Sequence, residues 1–160
     1  MTNFRIGYGY DVHQLKEGHD FYIGGIKIDH FQGAFGHSDA DVLIHTICDA
    51  ILGAANMRDI GFHFPDTSED YKGIDSKILL KEVVKLIREK GYEIGNIDAT
   101  VCLEKPKLNP HIPEMQKVLS ACMKVNSEQL SIKATTSEKM GFVGTEQGVA
   151  AHAVALIYFN

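Results

Sequence analysis

Apolar residues recur at helical spacing at Val42, Leu43, Ile44, Ile47, Ile51, Leu52 and Ala55, which predicts a helix from about Asp39 to Asn56, with Ser38 or Asp39 capping its start. His45 and Asp49 lie four apart on it and share a face. A second stripe, near 75–90, joins Leu79, Val83, Leu86 and Ile87, with Asp75 as cap and Gly91 as stop. A third helix is predicted near 112–124, after a turn region marked by Pro106, Pro110 and Pro113, with Met115, Leu119 and Cys122 on one side. Segments near 4–13, 21–28, 96–103, 130–136 and 149–159 read as strands.

The stretch 57–74 holds charges, two glycines, Pro65 and no sustained period, so it reads as a loop or lid. Loops of that length usually carry function. The resulting order, ββααβαββ, lacks a Gly-rich phosphate loop after the first strand. Gly7 and Gly9 do not extend into a Gly-X-Gly-X-X-Gly pattern. The expected class is therefore α+β, a mixed β-sheet covered by helices on one face, built as a single domain over 1–160 and not as a doubly wound dinucleotide fold.

Composition narrows the partners. Of 160 residues, 44% are hydrophobic and 23% charged, ordinary for a globular domain, and a formal net charge of −5 invites neither nucleic acid nor a membrane surface. An anionic ligand needs local help from a metal ion or a helix N-terminus. Cys48, Cys102 and Cys122 are odd in number and widely spaced, which argues against a disulfide framework and against a thiolate zinc site. With no apolar signal core at the N-terminus and no stretch of membrane-spanning length, the expectation is a cytoplasmic chain.

Candidate chemistry starts at Asp11 and His13. In an extended segment, residues two apart point to the same side, so the carboxylate and the imidazole can converge on one ion. A third ligand from elsewhere would complete three nitrogen and oxygen ligands with a fourth position open, the arrangement of a catalytic zinc. An Asp-X-His triplet by itself more often marks a strand end with a hydrogen-bonded pair. The run from His37 to His45 adds further ligand types.

Several motifs in order carry a resemblance. Asp11-Val-His13, the run His37 to His45, Leu52-Gly-Ala-Ala55, Asp59-Ile-Gly61, Phe64-Pro-Asp-Thr67, Lys72-Gly-Ile-Asp-Ser76, Pro110-His-Ile-Pro113 and Lys133 through Lys139 resemble the 2-C-methyl-D-erythritol 2,4-cyclodiphosphate synthase family nearly end to end. The resemblance implies a cytidine diphosphate substrate, a zinc ion, a second divalent ion that is magnesium or manganese, and a homotrimer with active sites between subunits. The implied reaction is an intramolecular phosphoryl attack that closes a cyclic diphosphate and expels CMP, in the non-mevalonate route to isoprenoids. Such a reaction asks the protein mainly for positioning and charge neutralisation, with no protein nucleophile.

By the same resemblance, Asp11, His13 and His45 hold zinc and Glu138 holds the second ion, a hard oxygen ligand for a hard cation. His37 and Ser38 contact the methylerythritol phosphate, and His37 and Thr136 are the catalytic candidates, Thr136 by supporting the diphosphate in the transition state. Asp59, Ile60 and Gly61 face the ribose. Phe64, Pro65, Asp66, Thr67 and Ser68 form a loop over methylerythritol. Leu103, Glu104, Lys105, Pro106, Lys107, Leu108 and Asn109 form the cytosine pocket, and Thr135, Ser137 and Phe142 complete the substrate contacts.

The chain departs from the family pattern at Ser137, where a threonine is common, and at Ser68, where an aspartate often follows the Phe-Pro-Asp-Thr motif. Thr145 and His152 stand where some members have arginine and glutamate, which puts in doubt an isoprenoid-diphosphate site on the trimer axis. Two other classes fit parts of the sequence. A metal-stabilised module that holds a cytidine nucleotide without turning it over needs neither Glu138 nor the hydroxyls near it. A metal-dependent phosphatase needs a second carboxylate cluster at bridging distance.

Overall fold

The computed structural model describes residues 3–65 and 71–160. Asp66, Thr67 and Ser68 of the expected loop lie outside the described residues.

A long first strand, β1 (Phe4–Glu17), shows period-two burial: Gly7, Gly9 and Leu15 are buried, while Phe4, Ile6, Tyr8, Tyr10 and Val12 point the other way and stay exposed. It pairs antiparallel with β7 (Gly148–Phe159) and, at its far end, with β4 (Gln32–Phe35). On its other side β7 pairs antiparallel with β5 (Tyr92–Cys102), which pairs parallel with β6 (Leu130–Thr135). The sheet order is β4-β1-β7-β5-β6, mixed as the element order predicted. A separate hairpin joins β2 (Phe21–Ile23) to β3 (Ile26–Ile28).

Helix α1 (Val42–Ala54) lies on the sheet over β1 and β7. It is almost wholly buried, with Leu43, Ile44, Ile47, Ile51 and Leu52 in the core. Its approach to β1 is close because β1 carries glycine where they meet. A Cβ on Gly7 would strike the Ala50 carbonyl oxygen, and one on Gly9 would strike that of Thr46. Helices α3 (Ser76–Glu89) and α4 (Ile112–Met123) complete this layer, α3 against α1 and α4 against α3 and β6. One hydrophobic cluster joins the helices to the sheet.

Several boundaries differ from the sequence expectation. The expected strand 21–28 is a hairpin, because Gly24 and Gly25 take positive φ values of 63° and 79° and turn the chain. Helix α1 starts later than Asp39. Its cap is Asp41, whose Oδ1 accepts from the Ile44 N–H at 3.0 Å and the Gly24 N–H at 3.0 Å, while Oδ2 accepts from the Gly25 N–H at 2.6 Å. The hairpin turn and the helix start therefore share one buried carboxylate. Burial pushes that carboxyl up, against these three backbone donors. β4, the short helices α2 (Ile60–His63) and α5 (Gly141–Gly144), and the residues 14–17 of β1 were not expected. The Asp75 cap and the Gly91 stop of α3 are as expected.

Candidate metal centre and nucleotide cleft

Asp11 and His13 project from β1 on the face covered by α1, and His45 comes down from the first turns of α1 to meet them. Gly9 sits two residues before Asp11 on that face and Thr46 follows His45, so the glycine contact that seats the helix also sets the height of the imidazole above the strand. Oδ2 of Asp11 lies 3.1 Å from Nδ1 of His45 and 3.6 Å from Nε2 of His13, and the two imidazole nitrogens are 3.2 Å apart. Four ligands about 2.0–2.1 Å from a zinc ion in tetrahedral geometry stand roughly 3.3 Å from one another. The triangle thus has the edges of one tetrahedral face, and these three groups can hold a metal ion.

The surroundings orient the ligands. Asp11 Oδ1 accepts the Val12 N–H at 2.8 Å, leaving Oδ2 to point inward. His13 Nδ1 lies 2.7 Å from the Val12 carbonyl oxygen. A carbonyl only accepts, so Nδ1 carries the proton and Nε2 presents its lone pair. Burial pushes the His45 ring down, but the hydrogen bond and charge of Asp11, with Asp41 and Asp39 behind, outweigh it and leave the ring above its ordinary value. An excess of negative charge around a histidine suits a cation.

The triad opens into a cavity of about 330 Å³ that also takes in His37, Ser38, Ile60, Gly61 and Phe64 from the expected set. Asp49, Tyr71 and Ile74 line it too. In the sequence Asp49 shows only a helix face shared with His45. Here its Oδ1 accepts the Ile60 N–H at 2.7 Å, which fastens α2 to α1, while burial pushes its carboxyl up against that donor. Asp59 caps α2 through the Phe62 N–H. Ser38 Oγ stands 3.0 Å from His45 Nε2. Pro65 is exposed at the edge of the described residues.

A second, smaller cavity of about 110 Å³ gathers Leu103, Pro106, Lys107, Leu108, Asn109, Thr135 and Thr136. Nothing lining it lines the first cavity. Beside it, Thr136 Oγ1 donates to Glu138 Oε1 at 3.0 Å, and Glu138 takes a positive φ of 54° in the tight turn after β6. Glu104 Oε1 accepts from the N–H groups of Ser137 at 2.9 Å and Lys139 at 3.3 Å. Desolvation pushes the Glu104 carboxyl up, but these donors, the Ser137 hydroxyl and the charge of Lys107 together outweigh it and hold it below its usual range. Glu104 is thus a brace between the 103–109 segment and the 136–139 turn. Lys105 pairs with Glu146 at 2.9 Å, and Phe142 is exposed beside Gly148.

Among the described residues no helix covers the opposite face of β1 and β7. Phe4, Ile6, Tyr8, Tyr10 and Val12 of β1 and Val154 and Tyr158 of β7 make that part of the face apolar, Ile6 and Tyr8 each 61% exposed. His152 stands among them, its Nδ1 2.9 Å from the Tyr8 hydroxyl. The Thr145 hydroxyl is spent on the Gly141 carbonyl at 2.9 Å.

The sequence profile of the YgbB family matches residues 4–158. A 2-C-methyl-D-erythritol 2,4-cyclodiphosphate synthase from Bacteroides thetaiotaomicron is 62% identical over 153 residues, covering 96% of each chain. Among solved structures, the bifunctional IspDF from Campylobacter jejuni superposes with a TM-score of 0.95 at 37% identity, the match covering 98% of this chain and 42% of that one. A CDP complex of IspF from Plasmodium falciparum superposes with a TM-score of 0.87 at 34% identity, covering 100% of this chain and 99% of that one.

Proposed function

Because this chain belongs to the YgbB family, we infer that it converts 4-diphosphocytidyl-2-C-methyl-D-erythritol 2-phosphate to 2-C-methyl-D-erythritol 2,4-cyclodiphosphate with release of CMP. An oxygen of the 2-phosphate bonds to the phosphorus carried by the erythritol. The bond from that phosphorus to the bridging oxygen breaks, and the oxygen leaves on CMP. The observation that carries the reading is the tetrahedral-edge spacing of Asp11, His13 and His45 at the mouth of the larger cavity.

In this account those three residues would hold zinc, which when bound would supply Lewis-acid polarisation to a substrate phosphate. His37 and Ser38 bind the methylerythritol phosphate from the same cavity. Asp59, Ile60 and Gly61 hold the ribose, Ile60 and Gly61 from the lining of the same cavity. Glu138 would hold a second ion, magnesium or manganese, as a hard oxygen ligand whose charge offsets that of the diphosphate. The Thr136 hydroxyl, which donates to Glu138 in the structure, would turn its proton to the charge that develops on the diphosphate once Glu138 holds its ion. Leu103 to Asn109, braced through Glu104, hold the cytosine, with Lys107 toward its phosphate.

A CDP-bearing substrate must span a metal centre and a cytosine pocket that share no lining residue on one chain. The reading therefore includes a homotrimer with head-to-tail contacts, each site built from the larger cavity of one subunit and the smaller of its neighbour. The uncovered apolar sheet face supports it, being too rich in Tyr, Ile, Phe and Val to stay wet. No helix among the described residues is long and apolar enough to cross a membrane. Three unpaired cysteines suit a reducing, cytoplasmic setting. Metal-dependent release of CMP from the named substrate is the test.

A further inference from the structure

Behind the candidate metal centre, His45 is held from the side away from Asp11. Its Nε2 lies 3.0 Å from Oγ of Ser76, the fully buried first residue of α3. Ser76 Oγ in turn lies 2.5 Å from Asp39 Oδ1, and Asp39 Oδ2 accepts the Ser76 N–H at 3.1 Å. The same Asp39 Oδ1 accepts the Asp41 N–H at 3.2 Å. Backbone bonds from Asp39 N to Ile74 O and from Gly73 N to His37 O staple the two segments together, so the Asp39–Ser76 pair is fixed by its own main chain.

The hydrogen count settles the direction of this chain. A hydroxyl has one proton and two acceptor positions, and a carboxylate only accepts. At 2.5 Å the Ser76 proton belongs on the line to Asp39. Ser76 Oγ can then meet Nε2 only by accepting from it, which requires Nε2–H. A neutral imidazole protonated on Nε2 has its lone pair on Nδ1, the atom that faces Asp11 Oδ2 and His13 Nε2. Ser38 Oγ stands equally near Nε2 but already accepts the Ala40 N–H, and its own proton can go to the second acceptor position of Ser76 Oγ, 3.4 Å away.

We propose that Ser76 and Asp39 form a positioning relay for His45: Asp39 takes the Ser76 proton, Ser76 takes the Nε2–H, and Nδ1 is left as the metal ligand. The relay rests on the metal-centre reading. Its role is to hold the ring's orientation and to keep a proton on Nε2, so that when a metal displaces the proton shared with Asp11 it is Nδ1 that is freed. Neither residue touches substrate in this account, so neither is catalytic. Outer partners of ligating histidines typically contribute 10–100-fold to metal affinity.

The test is zinc affinity by chelator competition on the full chain, with long-range ¹⁵N–¹H spectra of the zinc-loaded protein to read the His45 ring. Wild type should show zinc on Nδ1 and a proton on Nε2. Ser76→Ala should weaken zinc binding about tenfold or more and expose the Nε2 proton to fast exchange, with a larger loss than Ser38→Ala. Asp39→Asn should weaken zinc as well, and the double variant should lose little beyond Ser76→Ala, since one pathway is cut twice. A merely structural Ser76 would lower the melting temperature without moving the ring spectrum. Zinc on Nε2 in wild type, an affinity within twofold of wild type in Ser76→Ala, or a greater loss in Ser38→Ala overturns the relay. The wild-type ring spectrum decides the matter even if a variant fails to fold. A wild type that takes up no zinc removes the metal-centre reading and the relay together, an outcome distinct from the others.

Discussion

Asp11 Oδ2 and His45 Nδ1 stand 3.1 Å apart although 34 residues separate them in sequence, one on β1 and the other on α1. The pairing follows from helix seating and not from any local motif. Removing the imidazole should leave that seating intact, because α1 is held by Leu43, Ile44, Ile47, Ile51 and Leu52. His45→Ala should therefore lose zinc while its melting temperature in the metal-free state stays within about 5 °C of wild type. Metal analysis and thermal melts check both halves, and full zinc occupancy would take His45 out of the site.

Seating itself can be disturbed from the strand. A methyl on Gly9 meets the Thr46 carbonyl oxygen, which neither backbone can yield cheaply. Gly9→Ala should cost about 1–3 kcal/mol or more by overpacking and push His45 off Asp11. Thermal melts should fall by roughly 2–12 °C, with zinc affinity falling alongside. Unchanged zinc binding would mean that helix height does not set the triad.

The metal-free His45 ring lies above its ordinary value, so near pH 6.5 it is mostly protonated and zinc must displace that proton. Zinc binding should release more than about half a proton at pH 6.5, less as pH rises, and apparent affinity should fall as pH falls. Calorimetry in two buffers of different ionisation enthalpy reads the release. No buffer dependence at pH 6.5 would contradict the shift and its cause in Asp11.

Much of this was legible in the sequence, and the failures have a common cause. The core of α1 followed from its apolar spacing, and the convergence of Asp11 with His13 from the two-residue strand period. The α1 cap did not, because Asp41 was chosen by Gly24 and Gly25, donors some sixteen residues away. β4 is four residues long and too short to show alternation, and its pairing with residues 14–17 is what extends β1. His45 was singled out from the candidate ligands of the His37–His45 run only by the family resemblance, since nothing in its local pattern ties it to Asp11. Asp39 and Ser76 meet 37 residues apart and carried no signal beyond helix capping and the Asp75-Ser76 motif.

Division of the site between two subunits predicts complementation. Asp11→Ala disables the larger cavity and Lys107→Ala the smaller, so each homotrimer should be inactive. In a random mixture of the two, roughly a quarter of head-to-tail interfaces join two intact halves. Activity should return to about that fraction after co-refolding. No recovery in trimers shown to be mixed would mean that each chain carries its own complete site.

The most direct measurement follows the reaction itself. Purified protein with zinc and magnesium is incubated with 4-diphosphocytidyl-2-C-methyl-D-erythritol 2-phosphate and observed by ³¹P NMR. The account predicts stoichiometric CMP and 2-C-methyl-D-erythritol 2,4-cyclodiphosphate, no inorganic phosphate, and loss of turnover on chelation. Substrate that stays intact in the metal-loaded protein, or that yields inorganic phosphate without the cyclic product, would contradict it.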